Sequence, residues 1–149
     1  MEREFVMIKP DGVQRGLIGK IITRIENTGL KITAIKMIQV SEQQAEKHYE
    51  VHKGKPFYDG LIKYITNGPV VTMIVEGKNA VKHVRRLVGA TDPSSAAPGS
   101  IRGDYSLEIG RNIIHAADSN SNSAKEALIY FTENEVMKYN RVDEAWLYE

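Results

Sequence analysis

The sequence predicts an α+β domain built on a four-stranded antiparallel sheet. Two short apolar runs, Phe5–Ile8 and Val70–Val75, read as buried strands. Segments with apolar residues at helical spacing alternate with the strand candidates. The resulting order is strand, helix, strand, helical pair, strand, helix, loop, strand, helix. Without the helical pair this is βαββαβ, the ferredoxin-like arrangement, with helices on one face of the sheet.

Each element has its own signal. Phe5–Ile8 is stopped by "KPDG", which reads as a turn. Leu17, Ile18, Ile21, Ile22 and Ile25 form one helical face, with Gly29 as a C-cap candidate. Leu30–Val40 alternates with a phase slip near Ala34–Ile35, the mark of a bulged, half-exposed strand. Ser41 is an N-cap for the helix that runs through "SEQQAEKHYEVH". "KGKPF" breaks that helix, and "YDGLIKYIT" supplies a second one ended by "NGP". Ala80, Val81, Val84, Leu87 and Val88 give a further helix closed by Gly89. The stretch from Ala90 to Asn112 has little periodicity, and long irregular segments in compact domains are usually functional or disordered. "IIHA" is a candidate last strand, and "SAKEALIYF" a last helix.

Composition narrows the function. The chain has 149 residues, 42% hydrophobic and 26% charged, as in a soluble domain of ordinary size. A formal net charge of +1 gives no general pull toward nucleic acid or anionic membrane. Any anion site must be local, made by a few converging Lys and Arg. The absence of cysteine excludes disulfides, thiolate zinc sites and a cysteine nucleophile. No stretch approaches the roughly 20 apolar residues of a membrane span, and the N-terminus has no signal-peptide pattern. A cytoplasmic location is expected.

No P-loop, post-strand GxGxxG, HExxH helix or GxSxG elbow is present. Four histidines remain, at 48, 52, 83 and 115. His48 and His52 share a helix face at i, i+4, but no third metal ligand is suggested. A solvated helix surface and no protein metal site are the expectation. A lone histidine at a strand end, as at His115, is most often a satisfied structural residue. Three features favour a functional role for it. It follows the irregular segment, its neighbours Ala116 and Ala117 are small, and Glu126 on the next helix could orient one ring nitrogen and free the other as a nucleophile. "SAKE" is equally readable as a capping box, Ser123 with Glu126 at its third position.

Four separated motifs now align with one family. "IKPDGVQRGLIG", "HYEVHKGKPF", "PGSIRGD" and "GRNIIHAADS" stand in an order that resembles nucleoside diphosphate kinases, as does the closing "AWLYE". The resemblance covers essentially the whole chain, implying one such domain over residues 1–149. It implies reversible exchange of the terminal phosphate between nucleoside tri- and diphosphates, by a ping-pong route through phosphohistidine. On that resemblance His115 is the nucleophile through Nδ1, and Glu126 holds the other end of the hydrogen-bond chain. Lys9 meets the phosphates and the ribose 3′-hydroxyl, and Tyr49 helps position the histidine. Arg85, Thr91 and Arg102 bind phosphates, and Asn112 binds ribose. Phe57 stacks on the base, with Leu61 and Ile109 as further apolar walls. Read without the resemblance, Phe57 is plain core, and Arg85 a solvated helix charge. Mg²⁺ would arrive with the nucleotide phosphates. Stacking on a base's π-face discriminates weakly among bases. A homo-oligomer is implied, with the tail of the hexamer-forming rather than the tetrameric type.

The sequence departs from the family's "HGSDS", reading "HAADS" at His115–Ser119. Ala117 removes a serine that the family uses near the histidine, including toward the carboxylate matched by Glu126. A non-catalytic, nucleotide-binding or regulatory member is therefore the alternative. An RNA-binding ferredoxin-like module would need exposed aromatics on its central strands, where only Phe5 is available.

Overall fold

The computed structural model describes residues 1–149. Its elements are β1 (Glu2–Ile8), α1 (Pro10–Gln14), α2 (Ile18–Glu26), β2 (Lys31–Ile38), α3 (Glu42–His48), α4 (Tyr58–Ile65), β3 (Val70–Gly77), α5 (Ala80–Val88), α6 (Ile101–Tyr105), β4 (Ile114–Ala116) and α7 (Asn120–Tyr130). The sheet order is β2-β3-β1-β4, with every pairing antiparallel. This is the ferredoxin-like arrangement, with α3 and α4 inserted between β2 and β3.

Helices cover both faces of the sheet, not one. Val6 and Ile8 of β1 join Ile21 and Ile25 of α2 and Val84 and Val88 of α5 in one buried cluster. Phe5 and Met7 point the other way, into a cluster with Ala45 of α3, Ile65 of α4 and Tyr130 of α7. The unbroken apolar runs carried this signal, because a strand buried on both faces has no polar side to alternate with. Phe5 is fully buried, so β1 presents no aromatic platform for RNA.

Three other expectations need correction. "KPDG" is not only a turn. Pro10 opens α1, where its fixed φ suits the first helical position and its missing N–H costs nothing. The segment before β4 is not featureless, since it holds a 3₁₀ turn at Pro93–Ser95 and α6, capped by Ser100. The last helix begins at Asn120, capped by Ser119, so Ser123 lies inside it and "SAKE" is no capping box. Ser123 instead cross-braces α7 to β1. Its hydroxyl accepts from Phe5 N at 2.9 Å and donates to Arg3 O at 2.8 Å.

The bulge in β2 falls at Thr33, where the register steps from Ile32↔Val75 to Ala34↔Ile74. Ser41 caps α3 with a full capping box to Gln44. Gly89 closes α5 at φ 90°, a conformation open to glycine at little steric cost. The C-terminal tail turns back on its own chain. Leu147 sits against Gly29, and Tyr148 Oη accepts from Lys78 N at 3.2 Å, while Trp146 stays 90% exposed.

Candidate active site

The connection into β4 is strained, and the strain lies two residues before His115. Ile113 has φ 60°, which a β-branched residue rarely adopts. Ile114 N donates to Asn112 O at 2.8 Å, closing a tight three-residue turn around Ile113. Such a conformation costs on the order of 1–3 kcal/mol and persists only where neighbours over-determine it. Here β1 and α1 supply the neighbours. Ile113 N donates to Asp11 Oδ2 at 3.1 Å, and Ile113 O accepts from Lys9 N at 2.8 Å. Asp11 also accepts from the Tyr64 hydroxyl of α4. The "KPDG" segment therefore fixes the backbone that presents His115. The sequence reading missed Asp11, whose partner is 102 residues away.

His115 lies opposite Met7 in the β1–β4 pairing, so its ring is on the α7 face. Its Nε2 is 2.6 Å from Glu126 Oε1, and its Nδ1 has no protein partner. Since a carboxylate only accepts, the network assigns the ring proton to Nε2 and the lone pair to Nδ1. Burial holds the imidazole pKa well below the usual range, helped by the facing charges of Lys9, Arg102 and Arg85. Glu126 is pushed upward by burial, while His48 and Arg85 pull it down.

His48 belongs to this site and not to a solvated surface. Its side chain is 3% exposed, because α3 packs against α7. Nδ1 lies 3.0 Å from the Tyr130 hydroxyl, and because Nε2 faces the Glu126 carboxylate the ring proton is assigned to Nε2 and the hydroxyl donates to Nδ1. That nitrogen is 3.4 Å from the same Glu126 Oε1 that holds His115. One carboxylate oxygen thus lies between two imidazoles.

These residues border a cavity of about 370 Å³. Eight of the eleven expected site residues are on its wall: Lys9, Tyr49, Arg85, Thr91, Arg102, Asn112, His115 and Glu126. His48, His52, Asp118, Asn122 and Lys125 are there too, and sequence reasoning did not place them. Lys9 Nζ donates to Asn112 Oδ1 at 2.7 Å, and burial with Arg102 nearby brings its pKa down to about 8. Both ends of the Asn112 side chain are engaged, since Nδ2 donates to Thr91 O at 3.0 Å. Arg85 Nη1 donates to Ala116 O at 3.1 Å. Buried Arg102 reaches three carbonyls, Nε to Asn112 at 3.4 Å, Nη1 to Gly89 at 3.1 Å and Nη2 to Ile114 at 2.6 Å. Burial and Arg85 lower its pKa to about 10, which still leaves it charged at neutral pH. Burial pushes the Tyr49 phenol up to about 12, with Glu126 adding to the effect.

Phe57, Leu61 and Ile109 do not line the cavity. Phe57 is 51% exposed, so it is not core either. Its ring stands 5.3 Å from that of His52, which does line the wall. Leu61 packs against the α7-side cluster, and Ile109 is exposed. Ala117 is buried with Phe5 and Tyr130 and opens no room for substrate, whereas Ala116 is on the cavity wall.

A neutral imidazole braced through one nitrogen, with the other unpartnered beside three cations, defines a class: an α+β protein equipped to take an anionic group onto histidine. Comparison with known proteins sharpens this. The family model described as nucleoside diphosphate kinase matches residues 2–136. A nucleoside diphosphate kinase of Archaeoglobus fulgidus is 55% identical over all of this chain and 99% of its own. The structure of a halophilic nucleoside diphosphate kinase from Halobacterium salinarum in complex with CDP superposes with TM-score 0.96 at 49% identity, covering 99% of both chains. A transition-state mimic of the Borrelia burgdorferi nucleoside-diphosphate kinase, with vanadate and ADP bound, gives 0.92 at 40% identity over 97% of this chain and 95% of that one. The chain belongs to the nucleoside diphosphate kinase family.

Proposed function

We propose that this protein transfers the terminal phosphate of a nucleoside triphosphate to a nucleoside diphosphate, reversibly, through a phosphohistidine at His115. The observation that carries this reading is the 2.6 Å bond from Nε2 to Glu126, which leaves Nδ1 as the nucleophilic nitrogen. Nδ1 attacks the γ-phosphorus, and the bond to the β-phosphate oxygen breaks. Positive charge developing on the ring is stabilised by Glu126, and charge spreading over the phosphoryl oxygens by Lys9, Arg85 and Arg102. Phosphoryl transfer needs mainly such positioning and neutralisation. The nucleoside diphosphate leaves, a second one enters, and its terminal oxygen takes the phosphoryl group back. The phosphoramidate keeps a high transfer potential, so the exchange runs both ways. The protein's residues over 1–149 act as one domain in this reading.

Thr91 joins the cations at the phosphates, Asn112 serves the ribose, and Tyr49 steadies the ring of His115. Half-exposed Phe57 stacks on the base, with Leu61 and Ile109 as apolar neighbours, so base selectivity is broad. Magnesium enters on the nucleotide phosphates. Of the three carboxylates on the cavity wall, Glu126 is bonded to the imidazole, Asp118 accepts from Asn122 at 2.6 Å, and Glu50 faces Lys125 at 4.0 Å. The non-catalytic alternative is not favoured, because the His115–Glu126 pair is intact despite Ala117. The protein acts in the cytoplasm as a homo-oligomer, a hexamer in preference to a tetramer. No helix is long and apolar enough to cross a membrane.

The test is incubation with γ-labelled ATP, then with unlabelled GDP, CDP or UDP. An acid-labile, base-stable phosphoprotein should form and discharge onto each acceptor. His115→Ala should abolish labelling and exchange while nucleotide binding persists. Near wild-type exchange by His115→Ala would overturn the assignment.

A further inference from the structure

Three donor groups converge beneath the nucleophile, on the side away from Nδ1. His48, His115 and Glu126 each offer a ligand atom, and these atoms lie within 4.8 Å of one another. The two close spacings share Glu126 Oε1, 2.6 Å from His115 Nε2 and 3.4 Å from His48 Nε2. We propose that His48 Nε2, His115 Nε2 and Glu126 form a binding site for a zinc-class dication, and that occupancy of this site switches off phosphoryl transfer.

Two imidazoles and one carboxylate are a donor set that zinc favours, with a fourth position left for water. Ligand atoms about 2.0–2.1 Å from a tetrahedral zinc stand about 3.4 Å apart. The His48–Glu126 spacing already meets that value, the His115–Glu126 pair must open by about 0.8 Å, and the two imidazoles, within 4.8 Å, must close by up to about 1.4 Å. Two features support the site beyond the donors. The Tyr130 hydroxyl contacts His48 Nδ1 at 3.0 Å, the outer-shell contact that fixes a ligating imidazole. Glu126 Oε2 is buried and bonds nothing, so the carboxylate can turn without breaking another contact. The positive charges of Lys9, Arg85 and Arg102 act on the His115 ring and repel a dication. The site should therefore hold zinc reversibly and more weakly than a structural centre does.

The inhibitory step follows from the ring's two nitrogens. A neutral imidazole has one proton. In the free protein it is on Nε2, and Nδ1 carries the lone pair. Zinc at Nε2 displaces that proton to Nδ1, so the nitrogen facing substrate becomes an N–H and cannot attack phosphorus. His48 shifts its proton to Nδ1 in the same way, and the Tyr130 oxygen then accepts it. No other proton is gained or lost, and no bond to the nucleotide is involved. Zinc should thus lower kcat with little change in KM, unlike a metal that only competes with magnesium on the nucleotide. This inhibitory consequence rests on the proposed role of His115, whereas the site itself stands on the donor geometry.

The experiment titrates Zn²⁺ into the nucleotide-free protein by calorimetry and follows the histidine ¹⁵N resonances. One zinc should bind per chain, with the His48 and His115 Nε2 signals shifting and their Nδ1 signals moving to the protonated position. His48→Gln and Glu126→Gln should each weaken binding more than tenfold. Exchange assays at saturating Mg²⁺ should show kcat falling with zinc and returning when a zinc-selective pyridyl chelator is added. Zinc that leaves both sets of resonances unmoved in the wild-type protein would overturn the site, whether or not the variants fold. Equal affinity in folded His48→Gln would also overturn it, and inhibition only through KM would overturn the switch. Zinc binding to a protein that shows no exchange would instead overturn the functional reading and leave the site standing.

Discussion

Glu126 Oε2 is a buried acceptor with no donor, and the family resemblance implies a serine near it at position 117, where this chain has alanine. Restoring that hydroxyl should satisfy the oxygen. A hydrogen bond contributes about 0.5–1.5 kcal/mol, and one to a charged group about 1.5–3. Ala117→Ser should therefore raise kcat by a few-fold up to about a hundredfold. The gain should vanish when Glu126→Gln is already in place, as a double-mutant cycle would measure. Equal gains in both backgrounds would show that the hydroxyl acts elsewhere. Glu4 is a second orphan, fully buried with neither carboxyl oxygen bonded. Burial pushes its pKa up to about 9, with Glu126 adding to the effect, while the unfolded chain ionises near 4.5. Between those values the folded state holds a proton that the unfolded state has lost. Stability should then fall with rising pH across that window, by up to about 1.4 kcal/mol per pH unit. Glu4→Gln should flatten the fall, so its Tm should exceed the wild-type value at pH 9 by more than at pH 5. Where a motif carried them, the sequence was enough to bring single residues to one cavity, as with His115, Glu126 and Lys9. His48 was misread because an i, i+4 pair says nothing about what packs on it. Asp11 and Ser123 act across the fold and leave no local pattern.

At the scale of elements, Arg102 ties α6 to the end of α5 and to the turn that leads into β4. Removing it takes the donor from the carbonyls of Gly89 and Ile114, while that of Asn112 keeps Ile114 N. A buried acceptor left unpaired costs about 1–3 kcal/mol. Arg102→Ala should therefore destabilise the protein by about 2 kcal/mol or more, whereas Arg85→Ala, which loses one bond from an exposed residue, should cost about 1 kcal/mol. Urea denaturation separates the two. Similar small losses would mean that Arg102 braces nothing and serves the cavity alone. Most elements were readable in advance from caps and periodicity, including Ser41, Gly89 and the slip in β2. The misread ones depended on position rather than pattern. Pro10 is a helix-opening signal as much as a turn signal, and five residues are too few for α1 to show a period. The same holds for α6, another five-residue helix.

Across the whole molecule, the strand and helix order was enough to give the ferredoxin-like sheet, but not the second helical layer. That layer forms because α7, distant in sequence from α3 and α4, shares with them one face of β1 and β3. Exposed Ile35 and Met37 on edge strand β2, with Trp146 on the tail, leave apolar surface of the sort that subunit contacts cover. Sedimentation velocity should show a hexamer, and Trp146→Ala should shift it toward smaller species. A wild-type monomer at micromolar concentration would refute the oligomer. The brace between Ser123 and β1 also sets a timetable. It spans 118 residues, and the Lys9–Asn112 bond spans 103. Contacts of such separation close late, because the loop entropy must be met before they form. On the ribosome, β1 and Lys9 emerge first and wait for α7, which brings the carboxylate that braces His115. A nascent chain that still lacks α7 carries His115 without the carboxylate that braces it.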